Sequence, residues 1–289
     1  AKGIAQGLGC PDVPLWDLWT DKAPLEKALP VGTILTLAAA GSEMSSSAVL
    51  TNEAIPMKKG TTTEWNRPKF AIMNPELLST VPKYHLACGV VDILMHTLDR
   101  YFIPDDTSEL TDEIAEGVLR ATIKNAPVVI EDPENYDAMA EIMWAGSISH
   151  NGLTECGRGL RDFPVHGLGH SLSAHYDATH GATLSSLWPT WARFTCDTAV
   201  KRFARLAAQL WGISEEDEKK AALAGIDATE NFFRSIGAPV CISEMIGRTL
   251  SDEELHTLAM EITGNNSKTI GYAAKLDAAQ VEELLKLAN

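Results

Sequence analysis

Beyond Pro82 the chain keeps one hydrophobic period almost to its end, and that period leaves little choice of fold. Apolar residues return every three or four positions over 84–101, 108–126, 133–151, 164–176, 182–195, 198–211, 215–236, 251–262 and 277–288. This is the pattern of helices that bury one face. Ser108, Ser214, Ser251 and Asp277 stand where helix N-caps are wanted, because their side-chain oxygens accept the unpaired amides of a first turn. A largely helical domain is therefore predicted for this part.

The first eighty residues read differently. "GTILTLAAAG" (32–41), "KFAIMN" (69–74) and "SAVLTN" (47–52) are short apolar runs bounded by Gly, Pro or Asn. They are expected to form buried strands. Between two of them "AAAGSEMSSS" offers small side chains and free amides, the composition of a loop that a ligand can approach closely, although a plain surface turn has the same composition. The opening "AKGIAQGLG" has no initiator Met and reads as the last turns of a helix closing on Gly7 or Gly9, so a longer parent sequence is expected. No internal repeat or low-complexity linker separates the two parts, and the boundary expected near residue 81 is a change of architecture.

Composition removes several functions. A formal charge of −15 on 289 residues opposes binding to a phosphate backbone, so no nucleic-acid partner is expected. No apolar run approaches the roughly 20 residues that span a bilayer, and no membrane partner is expected. The five cysteines are scattered and odd in number, which fits neither a disulfide framework nor a thiolate zinc site and suits a cytoplasmic location.

Four of the eight histidines, His166, His170, His175 and His180, fall within "VHGLGHSLSAHYDATHGATLS". His166 and His170 are four apart on one helix, and His180 precedes Gly181 at a helix junction. In "ACGVVDILMHTLDRYF", Asp92 and His96 share a helix face otherwise made of Val91, Leu94 and Met95. Taken alone, that pair is more simply an Asp–His hydrogen bond or a surface pair. Set beside the second cluster, it becomes half of a site. One carboxylate and three neutral imidazoles would suit Fe(II) or Zn(II) and serve Ca(II) or Mg(II) poorly.

Through "CGVVDILMHTLDRYF", "MWAGSISHNGL" and "FPVHGLGHSLSAHYDATHGATLSSLWP", the sequence resembles the iron-containing alcohol dehydrogenase family. Within it, the sequence is most similar to the butanol-dehydrogenase-like branch of NAD(P)H-dependent aldehyde reductases. The resemblance implies a partial α/β nucleotide-binding domain over 1–81, followed by an all-α metal-binding domain over 82–289, the dehydroquinate synthase-like, iron-type architecture. It implies Asp92, His96, His166 and His180 as metal ligands for Fe(II) or Zn(II), and His170 as a nearby proton relay with an ordinary imidazole pKa. His175 is left as a supporting or structural residue, and His85, His150 and His256 as structural or solvated. Thr36, Ser45, Lys58 and Leu77 fall at positions that line NAD or NADP.

The departures are Ala40, where a Thr is usual, and Asp99, where a Glu is usual and the change is expected to matter little. The family's Gly-Gly-Gly-Ser turn is expected upstream of Ala1. The implied function is hydride transfer between NAD(P)(H) and a small alcohol or aldehyde, in a homodimer. Two alternatives stand beside it: a dehydroquinate synthase-like lyase, disfavoured by the lack of Lys or Arg in the histidine segment, and a non-catalytic metal-stabilised remnant without cofactor binding.

Overall fold

The computed structural model describes all residues except 56, 104–107 and 159–161. Helix α1 (Lys2–Gly9) and the short α2 (Leu15–Trp19) precede four strands, β1 (Gly32–Ile34), β2 (Ser47–Asn52), β3 (Met57–Thr62) and β4 (Phe70–Ile72). β1 and β4 run parallel with Gly32 opposite Phe70, and β2 and β3 form an antiparallel hairpin with Ser47 opposite Thr62. Gln6 ties the segment together: it accepts from the Trp19 indole at 2.6 Å and donates to Asn66 at 2.6 Å, all three buried.

The strand positions follow the apolar runs, and β2 matches its predicted span. The expectation of buried strands is corrected. Ile34, Phe70 and Ile72 are 49–61% exposed, because β1 and β4 are each three residues long and pair only with each other among the described residues. β3, "MKKGTT", carries no alternating pattern and becomes a strand through its pairing with β2.

From Lys83 onward the described residues hold helices and one isolated bridge, Ile270 to Leu276. These are α3 (Lys83–Tyr101), α4 (Glu109–Glu131), α5 (Tyr136–His150), α6 (Pro164–Tyr176), α7 (His180–Thr195), α8 (Val200–Trp211), α9 (Glu218–Ser235), α10 (Ile242–Ile246), α11 (Asp252–Ile262) and α12 (Ala278–Ala288). Ser251 and Asp277 form capping boxes with Glu254 and Gln280. Two cap expectations are corrected. Ser108 gives its hydroxyl to the Gly157 carbonyl instead of its own helix, and α9 is capped by Asp217 rather than Ser214, with the Asp217 carboxylate accepting from Lys219 and Lys220. α4 continues through Pro127 to Glu131 because Val129, fully buried, draws the turn beyond the proline into the core.

α3 is the central helix, buried from Leu86 to Tyr101 and packed against α4, α5, α6 and α7. Its contact with α7 is set by Gly181, where an added Cβ would meet the Cys88 carbonyl at 1.9 Å. That approach brings His180 over the turn of α3 that carries Asp92. No helix of the described residues is long and apolar enough to cross a membrane.

Gly181→Ala is expected to lower stability by about 1–3 kcal/mol, the usual cost of overpacking against backbone. Gly117→Ala, in α4 with nothing within 4 Å of the new methyl, should be neutral or stabilising by roughly 0.5–1 kcal/mol. Urea midpoints of the two variants check the contrast, and equal midpoints would remove the close-approach argument.

Candidate metal centre

The site is built around an anion that has been taken out of water. Asp92 is 4% exposed, and its Oδ1 has no hydrogen-bond partner among the described residues. Three imidazoles surround that oxygen: His96 Nδ1 at 3.1 Å, His180 Nε2 at 3.7 Å and His166 Nε2 at 3.8 Å. Two ligands about 2.1 Å from a tetrahedral ion stand roughly 3.4 Å apart, and the two longer separations are compatible with that spacing. His166 Nε2 is likewise buried without a partner. Asp92, His96 and His166 can each offer one atom with all three inside 4.8 Å of one another. His180, at the first turn of α7, stands slightly outside that triangle.

The electrostatics favour a cation. Burial would raise the Asp92 carboxyl, but the surrounding imidazoles hold it well below the usual carboxylate range. Burial pushes His96 and His180 down, so both are neutral with lone pairs available at neutral pH. His166 moves the other way: burial lowers it, yet the nearby Asp92 carboxylate and the hydrogen-bonded Asp99 carboxylate raise it above an ordinary imidazole. The His96 tautomer follows from its partner. Its Nδ1 lies 2.8 Å from the Asp92 backbone carbonyl, which can only accept, so Nδ1 carries the proton and Nε2 the lone pair.

His96, His166 and His180 line a cavity of about 510 Å³ between the β2–β3 hairpin and helices α3, α5, α6 and α7. Of the predicted cofactor positions, Ser45 and Lys58 line it, whereas Thr36 and Leu77 are exposed and lie outside the lining. Ala40 lines it as well, without a hydroxyl to offer. Lys58 is held below its usual range by burial.

His170 lines the cavity with its ring 5.5 Å from that of His180. Its expected ordinary pKa is corrected: burial pulls it down to about 3, so it is neutral at physiological pH. His175 faces away and pairs with Glu261 at 2.6 Å, tying α6 to α11. His85 is exposed, and His256 pairs with Glu282.

Three groups escaped sequence reasoning. His150 lines the cavity, its ring 4.0 Å from His96 and its Nε2 3.2 Å from the Ser47 hydroxyl. Arg100, absent from the histidine segment but four residues after His96, enters the cavity wall with Glu155 at 2.8 Å and lies 4.3 Å over the Phe163 ring. Lys58 and Arg100 therefore supply cavity cations that the histidine segment lacks. The third is Asp99, 1% exposed, whose carboxylate accepts from His166. Its signal was readable: Asp92, His96 and Asp99 share one face of α3.

The family model for iron-containing alcohol dehydrogenases matches residues 1–75, and the model for the family's C-terminal part matches 86–289. The chain belongs to the iron-containing alcohol dehydrogenase family. It is 36% identical over 289 residues to NADH-dependent butanol dehydrogenase A of Clostridium acetobutylicum, covering 99% of this chain and 73% of that relative. It is 34% identical over 246 residues to the NADPH-dependent aldehyde reductase YqhD of Escherichia coli, covering 84% and 63% of the two chains. The crystal structure of NADH-dependent butanol dehydrogenase A from Thermotoga maritima superimposes with a TM-score of 0.93 at 32% identity, over 100% of this chain and 73% of that one. The architecture is thus that of the iron-type alcohol dehydrogenases, an α/β part followed by a helical part.

Asp92→Ala should cost more metal affinity than the roughly 10- to 100-fold that outer partners of a metal ligand contribute. Elemental analysis after dialysis reads it, and full retention would refute a site centred on this carboxylate.

Proposed function

We propose that this protein is a metal-dependent alcohol dehydrogenase or aldehyde reductase that moves hydride between NAD(P)(H) and a small alcohol or aldehyde. One observation carries the reading: a buried carboxylate oxygen without a hydrogen-bond partner among the described residues faces three imidazoles, and these imidazoles line a cavity together with Ser45 and Lys58. The proposed ligands are Asp92, His96, His166 and His180, a set that fits Fe(II), the metal of the family's name, and accepts Zn(II). The proposed division puts the nucleotide-binding part at 1–81 and the helical metal-binding part at 82–289. When bound, the cation supplies Lewis acidity toward the substrate oxygen, and the nicotinamide supplies or takes the hydride.

The chain's own residues supply position and dryness. Ser45 and Lys58 present a hydroxyl and a cation to the cofactor, and Phe163 gives the cavity an apolar wall for a short carbon chain. Thr36, just after β1, and Leu77, in the helical turn after β4, are retained as proposed cofactor contacts. His170 is neutral, so it passes a proton by accepting at one nitrogen and releasing at the other, without dwelling as imidazolium. The reading includes a cytoplasmic location, supported by five unpaired cysteines. It also includes a homodimer, as the family resemblance implies.

The test is metal analysis combined with NADH and NADPH oxidation on butyraldehyde, before and after chelation. Turnover should disappear with the metal and return with Fe(II) or Zn(II). His170→Ala should keep its metal and lose on the order of a hundredfold in turnover. Metal loss in that variant would make His170 a ligand and overturn its assigned role.

A further inference from the structure

Asp99 has no evident reason to be buried as a charge except the two donors it meets. Its side chain is fully enclosed. Oδ2 accepts the His166 backbone N–H at 3.1 Å and His166 Nδ1 at 2.7 Å, while Oδ1 has no partner among the described residues. A buried carboxylate costs several kcal/mol unless donors answer it, and both answering groups here belong to one residue. That residue sits in the first turn of α6, after Phe163 and Pro164. Its amide is one of the donors a helix leaves unpaired, and the positive end of the helix favours an anion there.

We propose that Asp99 is the positioning residue of the metal centre. It fixes His166 in the tautomer whose lone pair faces Asp92, and it caps α6 so that the ring cannot turn away. This rests on the metal-binding reading above. A carboxylate can only accept, so His166 Nδ1 must carry the proton and Nε2 must carry the lone pair. Nε2 is the atom that lies 3.8 Å from Asp92 Oδ1 and has no other partner among the described residues. With the backbone amide held by the same oxygen, ring and helix end move as one body. His96 obtains the same tautomer from a backbone carbonyl of its own helix. His166 has no such carbonyl and takes its acceptor from α3.

The test uses Zn(II) as the probe on the full 289-residue chain, with affinity read by chelator competition and the His166 tautomer by long-range proton–nitrogen spectra. In the unsubstituted, zinc-loaded protein His166 should carry its proton on Nδ1; a proton on Nε2 overturns the proposal without any variant. Asp99→Asn keeps the shape but presents an amide that can donate, and zinc affinity should fall about 10- to 100-fold, with Asp99→Glu recovering most of it. Thermal unfolding of the zinc-free proteins isolates the capping contribution. Lower stability with unchanged zinc affinity and unchanged tautomer in Asp99→Asn would leave Asp99 a helix cap only and overturn the positioning role. Failure of the unsubstituted chain to bind zinc would overturn the metal-binding reading and this inference together, whereas failure in the variant comparison overturns this inference alone.

Discussion

A carboxylate buried in the middle of an apolar helix is the constraint to which the rest of the molecule answers. α3 is buried along most of its length, and placing Asp92 there without compensation would cost several kcal/mol. The helices around it bring the compensation. α6 delivers His166, α7 delivers His180 through the close contact at Gly181, and α3 supplies His96 one turn away. Asp92 Oδ1 nevertheless stays without a hydrogen bond among the described residues. The packing is therefore organised around a buried charge that the hydrogen bonds of the described residues leave unanswered.

Much of this was legible in sequence, for a physical reason. A helix repeats every 3.6 residues, so one buried face writes itself into the order of residues, and α6 fell on its predicted span of 164–176. The ligand candidates were legible by the same rule, since Asp92 and His96, like the His166 turn, are spaced by helical geometry. The short strands were less so. Three-residue β1 and β4 carry too few positions to show alternation, and β3 has the polar sequence of a turn. The partners of the site were hidden where contact depended on tertiary folding. Glu155 lies 55 residues from Arg100, and Asp99 lies 67 from His166. Spacing along one helix does not encode such meetings.

Charge distribution shows the same division between sequence and fold. The chain carries −15 overall, which read as unfavourable for binding a nucleic-acid backbone. The cavity nevertheless collects Lys58 and Arg100 around the histidines. Arg100 is committed to Glu155 and the Phe163 face, which leaves Lys58 as the other cation of the cavity wall. A negative surface keeps polyanions away by long-range repulsion. A half-buried lysine in a cavity still acts on an anion at short range, where screening is weak.

The protonation states complete the logic. His150, His170 and His180 are all pushed down by burial, so at neutral pH they offer lone pairs and add no positive charge to compete with a cation. His166 alone is pushed up, because two carboxylates, Asp92 and Asp99, stand against it. In the absence of metal it is the imidazole on which a proton most readily takes the cation's place. The same two carboxylates create both affinities, and a cation, carrying more charge than a proton, gains more from their field. A site with fewer anions would hold its histidines neutral more easily and its metal less well.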